Sequence, residues 1–316
     1  MAIFFPQAGG DLFTGSTAYL DSIKNNFKTD QATGIIEIQP SPGNDLCILF
    51  AEGVLVGAYR RAGDGWIPIR EHETVLGWSA EQVPLRLLTL SDIAGRSVWL
   101  ALESQPGRRL QINNAEEWQE ILAECRQAHF TGQIQAVSAT CTGLFVCWNG
   151  LLVTTEAVFC TPKGFEFTPS RFSCSNVEPL QVTLANFDMS KPSWKSCALR
   201  LSAANWSKRL LECYCQLAGQ RLLQTLSDEV NIAIRNQRWK IRFDGNNLLD
   251  YHFFPQDAHV HQAYLMIFNN MRERMQTVLG KLLEARIFNE TFEALDSLDR
   301  NLLEATNLTP AALSVK

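Results

Sequence analysis

The sequence predicts an α+β protein in which two tandem modules, each a helix plus an antiparallel meander, precede an all-α C-terminal bundle. Three observations predict this class. A stretch of the chain is written twice, 97 or 98 residues apart. Short apolar runs joined by tight turns follow a helical pattern in both copies, and from Trp206 onward apolar residues recur every three or four positions. The predicted domains are residues 1–110, a second, degenerate module at 111–200, and a helical domain at 201–316.

The repeat is visible in two blocks. Residues 33–38 (TGIIEI) return as residues 131–136 (TGQIQA), and residues 48–56 align with residues 145–153. The first offset is 98 and the second is 97, so the loop between the blocks has lost one residue in the second copy. Such internal similarity indicates one structural unit used twice.

Each copy is predicted to begin with an amphipathic helix. The matching apolar positions are Leu20, Ile23 and Phe27 in the first copy and Trp118, Ile121 and Cys125 in the second. Asn114 can cap the second helix, with Glu117 bonding back to the cap.

Tight turns at Glu52-Gly53 and Asn149-Gly150 are predicted to join two strands in each copy, because Asn-Gly is a strong hairpin signal. We expect Phe50 and Leu55 to lie in the core of the first module. Residues 84–102, which are apolar but contain Gly95, are predicted to form a short helix and then a strand. Residues 161–202 are predicted to form either extra strands or an ordered linker.

The last third of the chain has a helical period. The first apolar stripe consists of Trp206, Leu210, Cys213 and Leu217, with Leu211, Tyr214, Ala218 and Leu222 beside it. A longer stripe predicts one helix over residues 257–288 and consists of Tyr264, Phe268, Met271, Met275, Val278 and Leu282. Polar residues of this helix are expected to face water, namely Arg272, Glu273, Lys281 and Glu284. Leu295, Leu298 and Leu302 begin a last helix. The long stripe could also face a second chain, which leaves a homo-oligomer open.

The hairpin of the first copy carries a family resemblance. Its aromatic-x-x-Gly-apolar-apolar-x-x-Ala pattern is formed by Phe50, Gly53, Val54, Leu55 and Ala58. Together with Thr33-Gly34 before the strand, this pattern resembles the PATAN domain, the N-terminal domain of a cyanobacterial heterocyst-patterning regulator, and related bacterial domains. The resemblance covers about 60 residues per copy and implies a protein-interaction module of signalling or motility proteins. In the second copy Cys147 replaces the aromatic residue.

Composition excludes several classes of function. The formal net charge is −5, so no overall positive field favours nucleic acid. The nine cysteines are an odd number without a Cys-x-x-Cys pair, and the N-terminus lacks a secretory signal, which favours a reducing cytoplasm. No apolar run reaches the ~18 residues of a membrane span, so no membrane insertion is expected.

Residues that could carry catalysis or bind metal are few. His259 and His261, or Cys213 and Cys215, would lie on opposite sides of a helix, which favours structural roles over a metal site. Asp250-Tyr251-His252 has no nucleophile motif to accompany it. The sequence therefore predicts no enzyme, no cofactor and no metal.

Two segments are candidate partner-binding sites. A basic run interleaved with aromatic and apolar residues contains Arg235, Arg238, Trp239, Lys240 and Arg242. If it is a strand, Trp239, Ile241 and Phe243 share one face and Lys240 and Arg242 the other. The first module adds Trp66, Trp78 and Arg70, residue types that anchor interfaces or close a core.

The PATAN resemblance implies a bacterial signalling adaptor, and the lack of catalytic motifs predicts that it is non-enzymatic. Its expected partners are proteins, such as a response regulator or a cytoskeletal or motility component. The alternative is a sensor that binds a small anion or a nucleotide near residues 235–242.

Overall fold

A computed structural model describes residues 4–5, 9–41, 43–74, 82–161, 163–166 and 179–314. The α+β class is confirmed, with sheets in the N-terminal part and mainly helices in the C-terminal part. The chain divides into two compact units, residues 1–193 and residues 194–316. Among the helices that the structure describes, none combines the length and apolarity needed to span a bilayer.

The first module is built around one antiparallel sheet. Its elements are β1 (Asp11–Gly15), α1 (Thr17–Thr29), β2 (Gly34–Ser41), β3 (Asn44–Ala51), β4 (Val54–Ala62), β5 (Gly65–Ile69), β6 (Val83–Thr89) and α2 (Asp92–Glu103). The strand order is β1-β6-β2-β3-β4-β5. Helix α1 buries Leu20, Ile23 and Phe27 against this sheet, as the apolar pattern predicted.

The second module repeats this order. Its elements are β7 (Pro106–Ile112), α3 (Ala115–Gln127), β8 (Gly132–Val137), β9 (Thr142–Trp148), β10 (Leu151–Leu152), β11 (Val158–Thr161), β12 (Gly164–Glu166) and β13 (Leu180–Asn186). The strand order is β12-β11-β9-β8-β13-β7, with β10 paired to β9. A 3-10 turn at Thr154–Glu156 separates β10 from β11 where β4 of the first module is continuous.

The two modules share backbone details as well as element order. The N–H of Gly53 donates to the Ala32 carbonyl at 2.8 Å, and the N–H of Gly150 donates to the Phe130 carbonyl at 2.8 Å. Gly53 has a φ of 80° and Gly150 a φ of 81°, in the left-handed region that glycine tolerates. The prediction that both glycines occupy the same kind of turn is confirmed.

Residues 84–102 form a strand and then a helix, so the predicted order of helix before strand is wrong. Strand β6 comes first, and α2 follows after Ser91, whose side chain accepts from the Ala94 N–H. Gly95 is inside the helix. Because α2 packs against strands of both modules, it is buried on nearly every side, including its polar residues Asp92 and Arg96.

The predicted N-terminal cap of α3 is confirmed. The Glu117 N–H donates to the Asn114 side chain at 2.9 Å. The Glu117 carboxylate accepts from the N–H of Asn113, one residue before the cap, at 2.7 Å. It also accepts from the Asn114 amide at 3.2 Å, so the two side chains hold each other at the start of the helix.

The C-terminal unit contains a short hairpin among its helices, so the all-α prediction is wrong in this detail. The elements are α4 (Pro192–Ala218), α5 (Gln220–Asn236), β14 (Ile241–Asp244), β15 (Asn247–Asp250), α6 (Asp257–Leu279), α7 (Lys281–Glu293) and α8 (Ser297–Ala305). The core of the unit surrounds Trp206, whose ring stacks on Phe268 with centroids 4.4 Å apart. Leu217, at the end of the first stripe, is exposed.

The long apolar stripe belongs to two helices rather than one. Helix α6 begins at Asp257, as predicted, but ends at Leu279, and Gly280 in the left-handed region precedes α7. Leu282 is 91% exposed as a result. Arg272 and Glu284 were expected to face water, but the Arg272 side chain is only 12% exposed and that of Glu284 is fully buried. The two side chains pair at 2.8 Å, and Gln276 donates to Glu284 at 2.8 Å. Glu273 and Lys281 are exposed, as expected.

Candidate binding cleft

The basic segment of the C-terminal unit is exposed around one turn. Arg235 lies in the last turn of α5, and Arg238 follows in the left-handed region with a φ of 60°. Arg242 is exposed on β14, between the buried residues Ile241 and Phe243. The predicted alternation of basic and apolar faces is thus confirmed for the strand.

The remaining residues of this segment flank the strand. Trp239 is half-buried, with its ring edge-on to Phe254 at 5.8 Å. Lys240 is exposed beside it. The segment therefore offers exposed basic groups, and its aromatic residue packs against Phe254.

Of the three candidate residues in the first module, one lines a cleft. Trp66, at the start of β5, is half-buried and stacks on Phe4 with ring centroids 5.9 Å apart. Arg70 is exposed just after β5. Trp78 lies outside the described residues.

The cleft lies within the N-terminal unit, between the β4–β5 hairpin of the first module and strands β7 and β13 of the second. We call it the intermodule cleft. An inner part of about 160 Å³ is lined by Phe4, Arg61, Asp64, Gly65, Trp66, Ala101, Ser104, Arg109, Gln135, Thr183 and Ala185. An outer part of about 500 Å³ shares Arg61, Asp64, Arg109 and Thr183 and adds Leu110, Gln111, Gln181 and Val182.

Two arginines give the cleft its electrostatic character. Arg109 pairs with Asp64 across the modules at 3.0 Å, and Arg61 pairs with Asp45 at 3.3 Å. The side chain of Arg61 is 47% exposed and that of Arg109 is 53% exposed. The Arg109–Asp64 pair is solvated on both sides, and such pairs contribute only about 0–1 kcal/mol, so Arg109 can exchange this carboxylate for one of a ligand at little cost. Asp45 is 15% exposed and also accepts from Gln39 at 2.9 Å, so it keeps a partner when Arg61 contacts a ligand.

The cleft also lies beside two sheet edges. Strand β5 ends the first sheet and β7 ends the second. Edge strands present backbone N–H and C=O groups that another chain can pair with. An extended peptide in the cleft would thus meet backbone groups as well as guanidinium groups.

Sequence reasoning missed Arg61, Asp64 and Arg109 as site residues. The available signal was the pair of doublets Arg60-Arg61 and Arg108-Arg109, each within a strand. Neighbouring residues of a strand point to opposite faces, so one arginine of each doublet can enter a shared cleft. Arg60 and Arg108 are outside the lining described above, and Arg108 instead pairs with Glu124 of α3.

A second cavity, of about 330 Å³, lies between α1 and the β1–β6 edge of the first module. Its lining mixes aromatic and acidic side chains, among them Phe13, Tyr19, Asp11 and Asp30. It contains no arginine or lysine in the lining described. The intermodule cleft is therefore the better candidate for binding a charged partner.

The candidate residues for catalysis or metal binding lie in the C-terminal unit. Asp250 is buried and accepts from the Tyr264 hydroxyl at 2.8 Å and from the His252 N–H at 2.9 Å. Arg200 pairs with the same carboxylate at 3.2 Å. His259 is exposed and His261 half-buried in the first turns of α6, while Cys213 and Cys215 are half-buried on α4.

Comparisons of the chain with protein-family models, curated proteins and solved structures gave no match. The PATAN resemblance therefore stays a prediction.

Proposed function

We propose that the protein is a non-enzymatic adaptor that binds an acidic segment of a partner protein in the intermodule cleft. The observation that carries the proposal is the placement of Arg61, Arg109 and Trp66 around one opening between the two modules. Its proposed setting, taken from the family resemblance and the cysteine content, is the bacterial cytoplasm. A response regulator or a cytoskeletal or motility component is the class of partner proposed.

The chemistry of the lining favours carboxylates. Arginine binds a carboxylate through two parallel N–H···O bonds, which adds direction to the attraction between charges. Two guanidinium groups face the opening against one lining carboxylate, that of Asp64. Trp66 adds an aromatic surface of the kind that dominates binding at protein interfaces.

The shape of the cleft favours a peptide over a compact small molecule. The outer part is open and runs along β7 and β13, where Leu110, Gln111 and Gln181 continue the lining beyond the arginines. An extended segment could lie along the edge of β7, add main-chain hydrogen bonds and place alternate side chains toward Arg61 and Arg109.

The proposal can be tested with a fluorescein-labelled hexaglutamate peptide and fluorescence anisotropy. We expect Arg61→Ala/Arg109→Ala to weaken binding by about tenfold or more, as for truncation of central interface residues. The matched control is Arg60→Ala/Arg108→Ala, which removes the same charge from the same strands outside the cleft. A hexalysine peptide should not bind.

Two results would contradict the proposal. One is a parent protein that leaves the anisotropy of the hexaglutamate peptide unchanged. The other is equal weakening by the cleft variant and the control variant, since that would assign the attraction to the general surface charge.

A second candidate function concerns the basic segment of the C-terminal unit, where Arg238, Lys240 and Arg242 are exposed close together in sequence. These cations could hold the phosphates of a nucleotide. A thermal-shift measurement with ATP tests this: bound nucleotide should raise the Tm by several degrees at about 100 times its Kd. Arg238→Ala/Arg242→Ala should abolish that shift while Arg61→Ala/Arg109→Ala retains it.

A further inference from the structure

Two cysteines of the second module occupy the positions of a stacked aromatic pair in the first. Phe27 of α1 and Phe50 of β3 stack with ring centroids 4.8 Å apart and planes at 13°. At the two repeat offsets of 98 and 97 residues, their equivalents are Cys125 of α3 and Cys147 of β9. The same contact between a helix and a central strand is thus made by rings in one copy and by thiols in the other.

The two thiols are neighbours in the core of the second module. The side chains of Cys125 and Cys147 are hydrogen-bonded to each other. Both belong to the core of the second module, where Cys125 is 4% exposed and Cys147 is 1% exposed. Both are present as thiols in the structure.

We propose that Cys125 and Cys147 are a redox modification site that forms a reversible disulfide between α3 and β9. The oxidant required is a peroxide. The Cys125 thiolate attacks one oxygen of hydrogen peroxide, which breaks the O–O bond, releases hydroxide and leaves a sulfenic acid on Cys125. The Cys147 sulfur then displaces water from that sulfenic acid. In sum, two thiols and one hydrogen peroxide give one disulfide and two water molecules, and two electrons pass from sulfur to oxygen.

The order of attack follows from the surroundings of each thiol. The hydrogen bond from Cys147 lowers the pKa of Cys125, and nearby Arg108 lowers it further, while burial and Glu124 oppose this effect. The pKa of Cys147 is raised by its hydrogen bond to Cys125 and by burial. The thiolate is the nucleophile, Arg108 lies near Cys125, and Cys125 is 4% exposed against 1% for Cys147, so Cys125 is the attacking residue and Cys147 the resolving one.

The disulfide would fix the end of α3 to the central strand of its own sheet. In the first module two large rings make the contact between the helix and the central strand, whereas two small thiols make it in the second. A covalent link there constrains the unfolded chain between residues 125 and 147 and so favours the folded module. Oxidation is expected to raise the Tm of the full-length protein by several degrees, and dithiothreitol should reverse the rise.

The experiment treats the folded full-length protein with hydrogen peroxide, blocks remaining thiols with N-ethylmaleimide and analyses a non-reduced tryptic digest by mass spectrometry. Tryptic peptide 110–126 contains Cys125 alone, and peptide 127–163 contains Cys141, Cys147 and Cys160. We expect these two peptides to be linked, with fragment ions that place the link at Cys147. Cys147→Ser should abolish the link, whereas Cys141→Ser and Cys160→Ser should retain it.

The proposal fails if the parent protein yields no linked peptide. In that case Cys125 and Cys147 are recovered as N-ethylmaleimide adducts, or other cysteines are oxidised instead. It also fails if fragment ions place the link at Cys141 or Cys160. Because the parent protein alone gives these outcomes, the test does not depend on whether a serine variant folds.

Discussion

Phe50 is one of the large buried side chains in the core of the first module. It is 1% exposed, lies on β3 and stacks on Phe27 of α1, so it joins the helix to the sheet. Truncating a buried phenylalanine removes apolar contacts and leaves a cavity. We expect Phe50→Ala to lower the free energy of unfolding by about 3–5 kcal/mol, measured by chemical denaturation.

The control for Phe50→Ala is Val54→Ala in the same hairpin. Val54 is 48% exposed, and exposed side chains lose few contacts on truncation. Val54→Ala should therefore lower the free energy of unfolding by less than about 1 kcal/mol. Equal effects of the two substitutions would mean that the register of β3 and β4 is wrong. Leu55, predicted as a core residue, is half-buried and packs at the edge of the same core.

The sequence predicts the burial of some single residues but not of others. Phe50 was predictable because an apolar residue before a tight turn belongs to a short local pattern. The buried pair of Arg96 and Glu156, whose side chains meet at 2.9 Å, was not, because each residue is charged and 60 positions separate them. Their burial depends on α2 lying against the second module, which no local pattern shows.

At the scale of elements, the two glycine turns test whether the modules are equivalent. A Cβ at Gly53 would lie 2.9 Å from the Phe27 carbonyl oxygen, and a Cβ at Gly150 would lie 2.7 Å from the Cα of Arg126. Both glycines also need a positive φ. We expect Gly53→Ala and Gly150→Ala each to lower the unfolding free energy by more than the roughly 1–2 kcal/mol that the backbone conformation alone costs.

Gly43 provides the control for these turns. Its φ is also 80°, but a Cβ there would have no atom within 4 Å. Gly43→Ala should therefore show the conformational cost without the steric one. If Gly43→Ala destabilised the protein as much as Gly53→Ala, the close contact between the hairpin and the preceding helix would be excluded as a cause.

Helix α6 gives a second prediction at this scale. Met271 and Met275 are fully buried in the C-terminal core. Met271→Asp/Met275→Asp places two carboxylates there, each at a cost of several kcal/mol, and should leave the C-terminal unit unfolded in a circular dichroism melt. Leu282→Asp, on the exposed start of α7, should melt like the parent. A normal melt of the double variant would exclude this packing of α6.

The elements also divide into predictable and unpredictable ones. Helix α6 and the capped start of α3 followed from a one-sided stripe and a cap, which are local features. The order of β6 and α2 did not, because residues 84–102 are mostly apolar and the apolar run alone does not mark which part is the strand and which the helix. The break at Gly280 was missed because the apolar spacing of residues 275–282 continues across it.

At the scale of the whole molecule, the repeat was readable from the sequence and the cleft was not. The copies share turns and strands whose residues are close together in the chain. The intermodule cleft joins Arg61 and Trp66 to Arg109 and Thr183, which come from different modules. These residues come together only when the modules pack. The sequence therefore indicated Trp66 as a partner-binding residue but not Arg61 or Arg109.

Hydrogen–deuterium exchange of the full-length protein, with and without the hexaglutamate peptide, tests the proposal that the intermodule cleft receives an acidic segment. We expect slower exchange in β5 and β7, the two sheet edges beside the cleft, and no such change in the Arg61→Ala/Arg109→Ala variant. Slower exchange confined to residues 235–242, or unchanged exchange in both edge strands under saturating peptide, would contradict it.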